Sequence, residues 1–397
     1  MIFRIFSYIM VYLLILILLL YGIVNFDGKG IDKARGAKYF WFCYLFLTLV
    51  FGLRYRVGGD TLNYMLRYSV MPPLSELNIS DILLMQVEPG FATLMAFFKQ
   101  YTDKFYGVQL VESAFVNFVW FKLIYERTER KFLGALLYFL MNSFYFNTEI
   151  MREGFAVAIF VLAYKRLERG ELLKYYSILS VGVLFHFSCL FMLFVPLFRK
   201  YAINLKRTCL IIVTVLIAST VAQSIFHMFG GYLAVKVSNS STYYFSIWGL
   251  IASGLKSVLF PYWIMTLYRQ YTGAGYDDPK VRFILVQMIY GSMALGEYAM
   301  LMRLSNYMQP FFLVLLVEVL SYVAFSKYKN HMAAICIYGI IVFSYIMPYT
   351  KDVSHIEKGA RFYCLWFPYH SIFDEKEDPV RESFIRNQFD QLNDKYH

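Results

Sequence analysis

Ile2-Phe-Arg-Ile-Phe-Ser-Tyr-Ile-Met-Val-Tyr-Leu-Leu-Ile-Leu-Ile-Leu-Leu-Leu-Tyr-Gly-Ile-Val-Asn-Phe26 carries a single charge, Arg4. As a helix rising 1.5 Å per residue it is about 37 Å long, enough to cross a hydrocarbon core of about 30 Å. Only Arg4 precedes the apolar stretch and no small-residue cleavage site follows it, so it reads as a retained first span and not a cleaved signal peptide.

Similar runs recur to the end of the chain. Hydrophobic residues make up 59% of the 397 positions and charged residues 16%, with a mean hydropathy of +0.50. A soluble chain of this length does not need so much apolar surface, so the composition predicts an all-α polytopic membrane protein. The net charge of +11 sits in short loops between apolar runs, which is the mark of membrane orientation and leaves no basic arm for nucleic acid. Five scattered cysteines, Cys43, Cys189, Cys209, Cys336 and Cys364, form no CxxC pair and point away from a disulfide framework or a thiolate metal site.

The basic clusters assign the inner loops: Lys29/Lys33/Arg35/Lys38, Arg127/Arg130/Lys131, Lys165/Arg166/Arg169/Lys174, Arg199/Lys200/Lys206/Arg207, Arg269/Lys280/Arg282 and Lys327/Lys329. The spans are then about 2–25, 39–53, 105–125, 132–149, 153–167, 173–186, 188–198, 208–229, 246–268, 283–300, 304–325 and 332–347. That makes about twelve crossings, with both termini outside and an extracytoplasmic tail over 351–397 after a transmembrane domain over 1–350. Residues 175–198 are too few for two full crossings, so a hairpin of two short broken helices is expected, with His186-Phe-Ser188 at its tip. The outer loop from Arg54 to Lys104 holds a short apolar run, Phe91 to Phe98, behind the breaker Glu88-Pro-Gly90. It reads as a re-entrant or interfacial helix.

On this topology Arg54, Arg56, Asp60, Glu88, Arg152, His186, Glu297 and Arg303 all fall at outer helix ends. Arginine forks suit phosphate oxygens, and in Arg54-Tyr-Arg-Val-Gly-Gly-Asp60 the glycine pair would bring backbone N–H groups to the same anion. The alternative for Arg54 and Arg56 is snorkelling to lipid phosphate. Arg152 opens a helix whose N-terminal dipole favours an anion; a pair with Glu149 or Glu153 is its alternative. Arg303 is either a plain loop arginine or a fourth contact. For a proton acceptor the candidates are His186, Glu88 and Asp60, and a packing role is the alternative for a lone histidine between Phe185 and Phe187. No phosphate loop, HExxH, GxSxG or DxD motif occurs, which speaks against an ATPase and against a metal-held nucleotide sugar. The reading includes no cofactor and no metal.

Five motifs taken in order, Arg54-Tyr-Arg-Val-Gly-Gly-Asp60 with Tyr64, Glu88-Pro-Gly-Phe91, Met151-Arg-Glu153, Phe185-His-Phe-Ser188 and Arg303-Leu-Ser-Asn-Tyr307, with a late Pro368-Tyr369, resemble the EpsG family. Glu153 departs from the pattern, where an uncharged polar residue such as glutamine is expected. The resemblance implies a Wzy-like, GT-C-like polymerase of exopolysaccharide or O-antigen in the bacterial inner membrane, with its active site on the periplasmic or outer face. It would join oligosaccharide repeat units carried on undecaprenyl pyrophosphate. Arg54, Arg56, Arg152 and Arg303 would hold the pyrophosphate, and His186, Glu88 or Asp60 would serve catalysis. A chain-length regulator is a candidate partner. The alternatives are a flippase for the lipid-linked oligosaccharide, which would call for charges inside the central spans, and a glycan ligase.

Overall fold

Asp27 ends one helix and starts another. In the computed structural model, which describes residues 2–28, 33–85, 87–200, 204–229, 247–295, 303–325, 330–352, 360–383 and 386, its carboxylate accepts the backbone N–H groups of Phe132 at 3.1 Å and Leu133 at 2.8 Å. A helix start leaves four such groups without an internal partner. Asp27 therefore stitches α1 (Ile2–Phe26) to α7 (Lys131–Tyr138). Every regular element among the described residues is a helix, with no strand and only two isolated β-bridges.

The chain divides into two units. The first comprises Met1–Ala158, Leu184–His186 and Ile341–His397. In it α2 (Lys33–Gly52) packs along α6 (Tyr106–Arg127). Phe40 and Tyr44 lie on Phe121 with ring centroids 5.0 and 5.7 Å apart. Burying apolar surface against apolar lipid gains little, so polar contacts between helices fix the register. Tyr44 donates to the Ala114 carbonyl at 3.1 Å. Asn117 on α6 accepts from the Tyr138 hydroxyl at 2.5 Å and from Asn147 Nδ2 at 3.1 Å. Each such bond is worth about 0.6–2 kcal/mol.

The expected span 132–149 is not one regular helix. After α7 the chain makes two π-helical turns, Phe139–Ser143 and Tyr145–Glu149, and breaks at Ile150 before α8 (Met151–Glu168). The segment between α2 and α6 holds three short helices: α3 (Gly59–Ser69), α4 (Ile79–Leu84) and α5 (Pro89–Lys99). Phe91, Met95 and Ala96 of α5 pack with Tyr64 and Tyr68 of α3 and with Met151 and Phe155 of α8. The C-terminal segment belongs to this unit too. Trp366 donates to Thr148 Oγ1 at 2.7 Å, and Ile372 N donates to the Leu53 carbonyl at 3.0 Å.

The second unit comprises Ile159–Val183 and Phe187–Ile340. Phe260–Thr272 turns at Gly273 (φ 72°) into Pro279–Ser292, whose start is capped by Asp278. Both Pro279–Ser292 and Gln309–Phe325 pack on Phe260–Thr272. α9 (Leu172–Phe185) gives way to a 3-10 helix, Phe187–Phe194, and Tyr175 reaches across to the Met192 carbonyl at 2.5 Å.

Among the described residues three helices are long and apolar enough to cross a membrane: Tyr106–Arg127, Arg303–Phe325 and His331–Thr350. They coincide with three of the about twelve expected spans. Met10–Phe26, Leu172–Phe185 and Phe187–Phe198 are shorter apolar helical stretches.

Candidate functional site

Asp60, Tyr64 and Arg67 lie at i, i+4 and i+7 on α3, which puts them on one face of the helix. The chain enters α3 through Gly58 at φ 96°, a conformation that glycine adopts without strain. α5 begins with Pro89 in its first turn, leaving Glu88 just ahead of the helix. Arg152, the second residue of α8, joins these elements. Its Nη1 donates to Glu88 Oε2 and its Nε to the Tyr64 hydroxyl. Its guanidinium also lies over the Tyr64 ring, 5.4 Å from the centroid. Tyr64 is itself held against Phe91, with centroids 4.9 Å apart. Of the partners weighed for Arg152, Glu149 instead accepts the Gly59 amide at 2.8 Å, and Glu153 is buried.

Arg67 is the residue that sequence reasoning missed. Its Nε donates to Asn63 Oδ1 at 3.1 Å and its Nη1 to the Met85 carbonyl. Burial lowers its pKa from the ordinary value, and Tyr64, Arg152, Asp60 and Glu88 are its electrostatic neighbours. Two guanidinium groups, Arg67 and Arg152, thus share one polar cluster with Asp60, Tyr64 and Glu88. The helical spacing of 60, 64 and 67 was the signal available.

Arg54 stands apart from the expectation of an open phosphate contact. It is completely buried, with Nε donating to the Val57 carbonyl at 3.1 Å, Nη2 to Thr61 Oγ1 at 3.0 Å and to the Asn147 carbonyl at 2.6 Å, and Nη1 to the Phe51 carbonyl. A guanidinium in that setting is a strut tying α2, α3 and the second π-turn together. The glycine pair is likewise engaged by protein: Gly58 N donates to the Leu365 carbonyl at 2.8 Å and Gly59 N to Glu149. Those amides are therefore taken by protein acceptors and not by a bound phosphate.

Arg56 sits at φ 53° and forms a two-pronged pair with Glu382 of the C-terminal segment, at 2.6 and 2.5 Å. That pair raises its pKa. Arg381 beside it is buried and donates to the carbonyls of Arg56, Cys364 and Pro368 at 2.8, 2.9 and 2.5 Å.

His186 is 6% exposed and follows Phe185, whose ring stacks on Phe155 of α8 at 4.7 Å. The same segment meets α5, because a Cβ at Gly90 would lie 2.9 Å from the Leu184 carbonyl oxygen. The stretches bearing Glu88 and His186 are thus in contact. Arg303 belongs to the second unit, on a 3-10 helix whose Tyr307 hydroxyl meets Ser188 Oγ at 2.9 Å. It is not among the residues gathered in the first unit. Glu297 lies outside the described residues. Among the described residues, no group of three or more His, Cys, Asp or Glu is placed to hold a metal ion.

The sequence model of one family, described as the EpsG family, matches residues 37–371. The chain belongs to the EpsG family. The matched EpsG region runs from within α2 to Ser371, which bridges to Arg54, and takes in Asp60, Tyr64, Arg67, Glu88, Arg152, His186 and Arg303. Arg381 and Glu382 lie beyond it. No curated protein and no solved structure matches this EpsG chain. The family points to a role in polymerising polysaccharide repeat units.

Proposed function

We propose that this EpsG-family chain polymerises oligosaccharide repeat units carried on a lipid pyrophosphate, undecaprenyl pyrophosphate in a bacterial inner membrane, at the outer face. The observation that carries the reading is the Arg152 cluster. One guanidinium is fixed at the start of α8 by Glu88 and Tyr64, with a second, Arg67, among its electrostatic neighbours. The N-terminal end of a helix favours negative charge, and paired guanidinium groups suit a diphosphate.

In the reaction a hydroxyl of one repeat unit attacks the anomeric carbon of the other chain, and the lipid pyrophosphate departs with its electron pair. Arg152 and Arg67 would neutralise the charge that grows on the leaving group, an effect that each well-placed donor makes worth about 3–4 kcal/mol. Arg54 acts beneath the site as a positioning residue. Arg56 and Arg303 remain candidate phosphate contacts, Arg56 by exchanging Glu382 for the ligand. Glu88 is engaged by Arg152, which suits it to orienting that guanidinium. Asp60 and His186 remain candidates for catalysis.

A transmembrane domain of about twelve spans with a GT-C-like arrangement fits the apolar runs. Arg152→Lys protein, present at the normal level in the membrane, should leave lipid-linked units unpolymerised. Full-length polymer from that variant would defeat the reading.

A further inference from the structure

The acceptor hydroxyl must lose a proton as it attacks, and the carboxylates around the site differ in their fitness to take it. Glu88 is paired with Arg152, Glu382 with Arg56, and Glu375 with Lys104. Glu112 and Glu153 are fully buried. Glu149 differs from all of these. It is half-buried, it closes a π-helical turn, and the backbone breaks immediately after it at Ile150. Single π-turns of this kind recur at functional sites.

One oxygen fixes the side chain. Glu149 Oε1 accepts the Gly59 amide at 2.8 Å and the Thr148 hydroxyl at 3.1 Å. Oε2 makes no hydrogen bond among the described residues and lies where a Cβ at Gly59 would come within 2.8 Å. The glycine at 59 is thus what lets a carboxylate rest against the start of α3. Glu149 has Asp60, Arg54 and Tyr349 as its charged or titratable neighbours, and the same Asp60 acts on Arg152 and Tyr64. A fixed carboxylate with one open oxygen and no ion pair among the described residues, next to the proposed diphosphate cradle, has the geometry of a general base.

We propose that Glu149 is the proton acceptor of the polymerisation step, an assignment that rests on the polymerase reading above. The acceptor hydroxyl passes its proton to Glu149 Oε2 while its oxygen forms the new bond to the anomeric carbon. The bond from that carbon to the diphosphate breaks, and the electron pair leaves with the lipid diphosphate. Protonated Glu149 then returns its proton to water.

The test uses purified full-length protein and lipid-diphosphate-linked oligosaccharide, with donor affinity and kcat measured from acid to neutral pH. Glu149→Gln keeps an oxygen for the Gly59 amide and removes only the proton-accepting charge. It should bind donor as the wild type does, lose roughly 100- to 10,000-fold in kcat, and lose the acid limb of the wild-type pH profile. Glu149→Asp, which withdraws the carboxylate by one methylene, should keep the acid limb and lose at least about 10-fold in kcat. An unchanged kcat in either variant, or an unchanged acid limb in Glu149→Gln, would overturn the assignment while leaving the polymerase reading in place. Wild-type protein that turns over no donor would overturn both.

Discussion

Arg381 Nη1 donates to the backbone carbonyl of Arg56 at 2.8 Å, across 325 residues of sequence. With two further carbonyls on the same guanidinium, the contact makes the C-terminal segment part of the loop that leads into α3. Arg381→Ala would leave three half-buried carbonyls without this donor, at up to about 1–3 kcal/mol for each group left unsatisfied. The variant should melt several degrees lower in detergent, followed by tryptophan fluorescence, since Trp366 packs in the same segment. Arg381→Lys should recover little, because an ammonium cannot span three fixed acceptors. An unchanged melting temperature in Arg381→Ala would remove the segment from the loop's support.

Arg54 and Arg152 should fail in different ways. Lysine at 54 replaces a fork that reaches the Val57 and Asn147 carbonyls and Thr61 from within a fully buried site. Arg54→Lys should therefore lower membrane abundance and thermal stability, by roughly 2–4 kcal/mol. Arg152→Lys should leave both near wild type and abolish polymer. Immunoblotting of membranes alongside polymer gels separates the two. Equal abundance with equal loss of polymer would place Arg54 at the ligand after all.

Gly58 is held at φ 96°, and a Cβ there would lie 2.5 Å from the Thr148 Cβ. Gly58→Ala combines about 1–3 kcal/mol of backbone strain with that clash. It should reduce stability and polymer together, read by thermal melting and by gel. A wild-type melting curve would show that the loop adapts at no cost.

Glu375 accepts hydrogen bonds from Lys104 Nζ at 2.6 Å and from the Tyr106 hydroxyl, and the Lys104 contact holds its pKa below the ordinary 4.5. A carboxylate depressed in the folded state stabilises it above the ordinary value, and that contribution disappears as pH falls through the folded value. The C-terminal segment should thus become more open to protease below about pH 4.5 than at pH 7. Glu375→Gln should show a smaller ratio between the two. Equal ratios would assign the change to other carboxylates.

The long apolar runs were legible because a membrane leaves few choices: 304–325 and 332–347 match helices of spanning length. Glu88, Arg152 and Tyr64 stood in recognisable motifs, and their contact came from the fold. Arg67 is readable in principle from the 60/64/67 spacing, but it lies three residues beyond Tyr64, where the recognisable motif ends. The different fates of Arg54 and Arg56 were not readable. Two residues apart, one is buried by α3 and the second π-turn and the other meets Glu382, and both partners are set by tertiary contacts. The docking of residues 360–383 was equally hidden, since a mixed-charge tail has the composition of a solvated surface segment whether or not Arg381 is buried. The π-turns at 139–149 leave the same apolar pattern as a regular span.

If the Arg152 cluster holds a lipid diphosphate during polymerisation, its loss must stop chain growth. The most direct measurement incubates purified protein with lipid-diphosphate-linked repeat units and resolves the products by gel. The wild type should give a ladder of polymer with release of lipid diphosphate, and Arg152→Ala protein of normal stability only single units. A ladder from the Arg152→Ala protein equal to that of the wild type would contradict it.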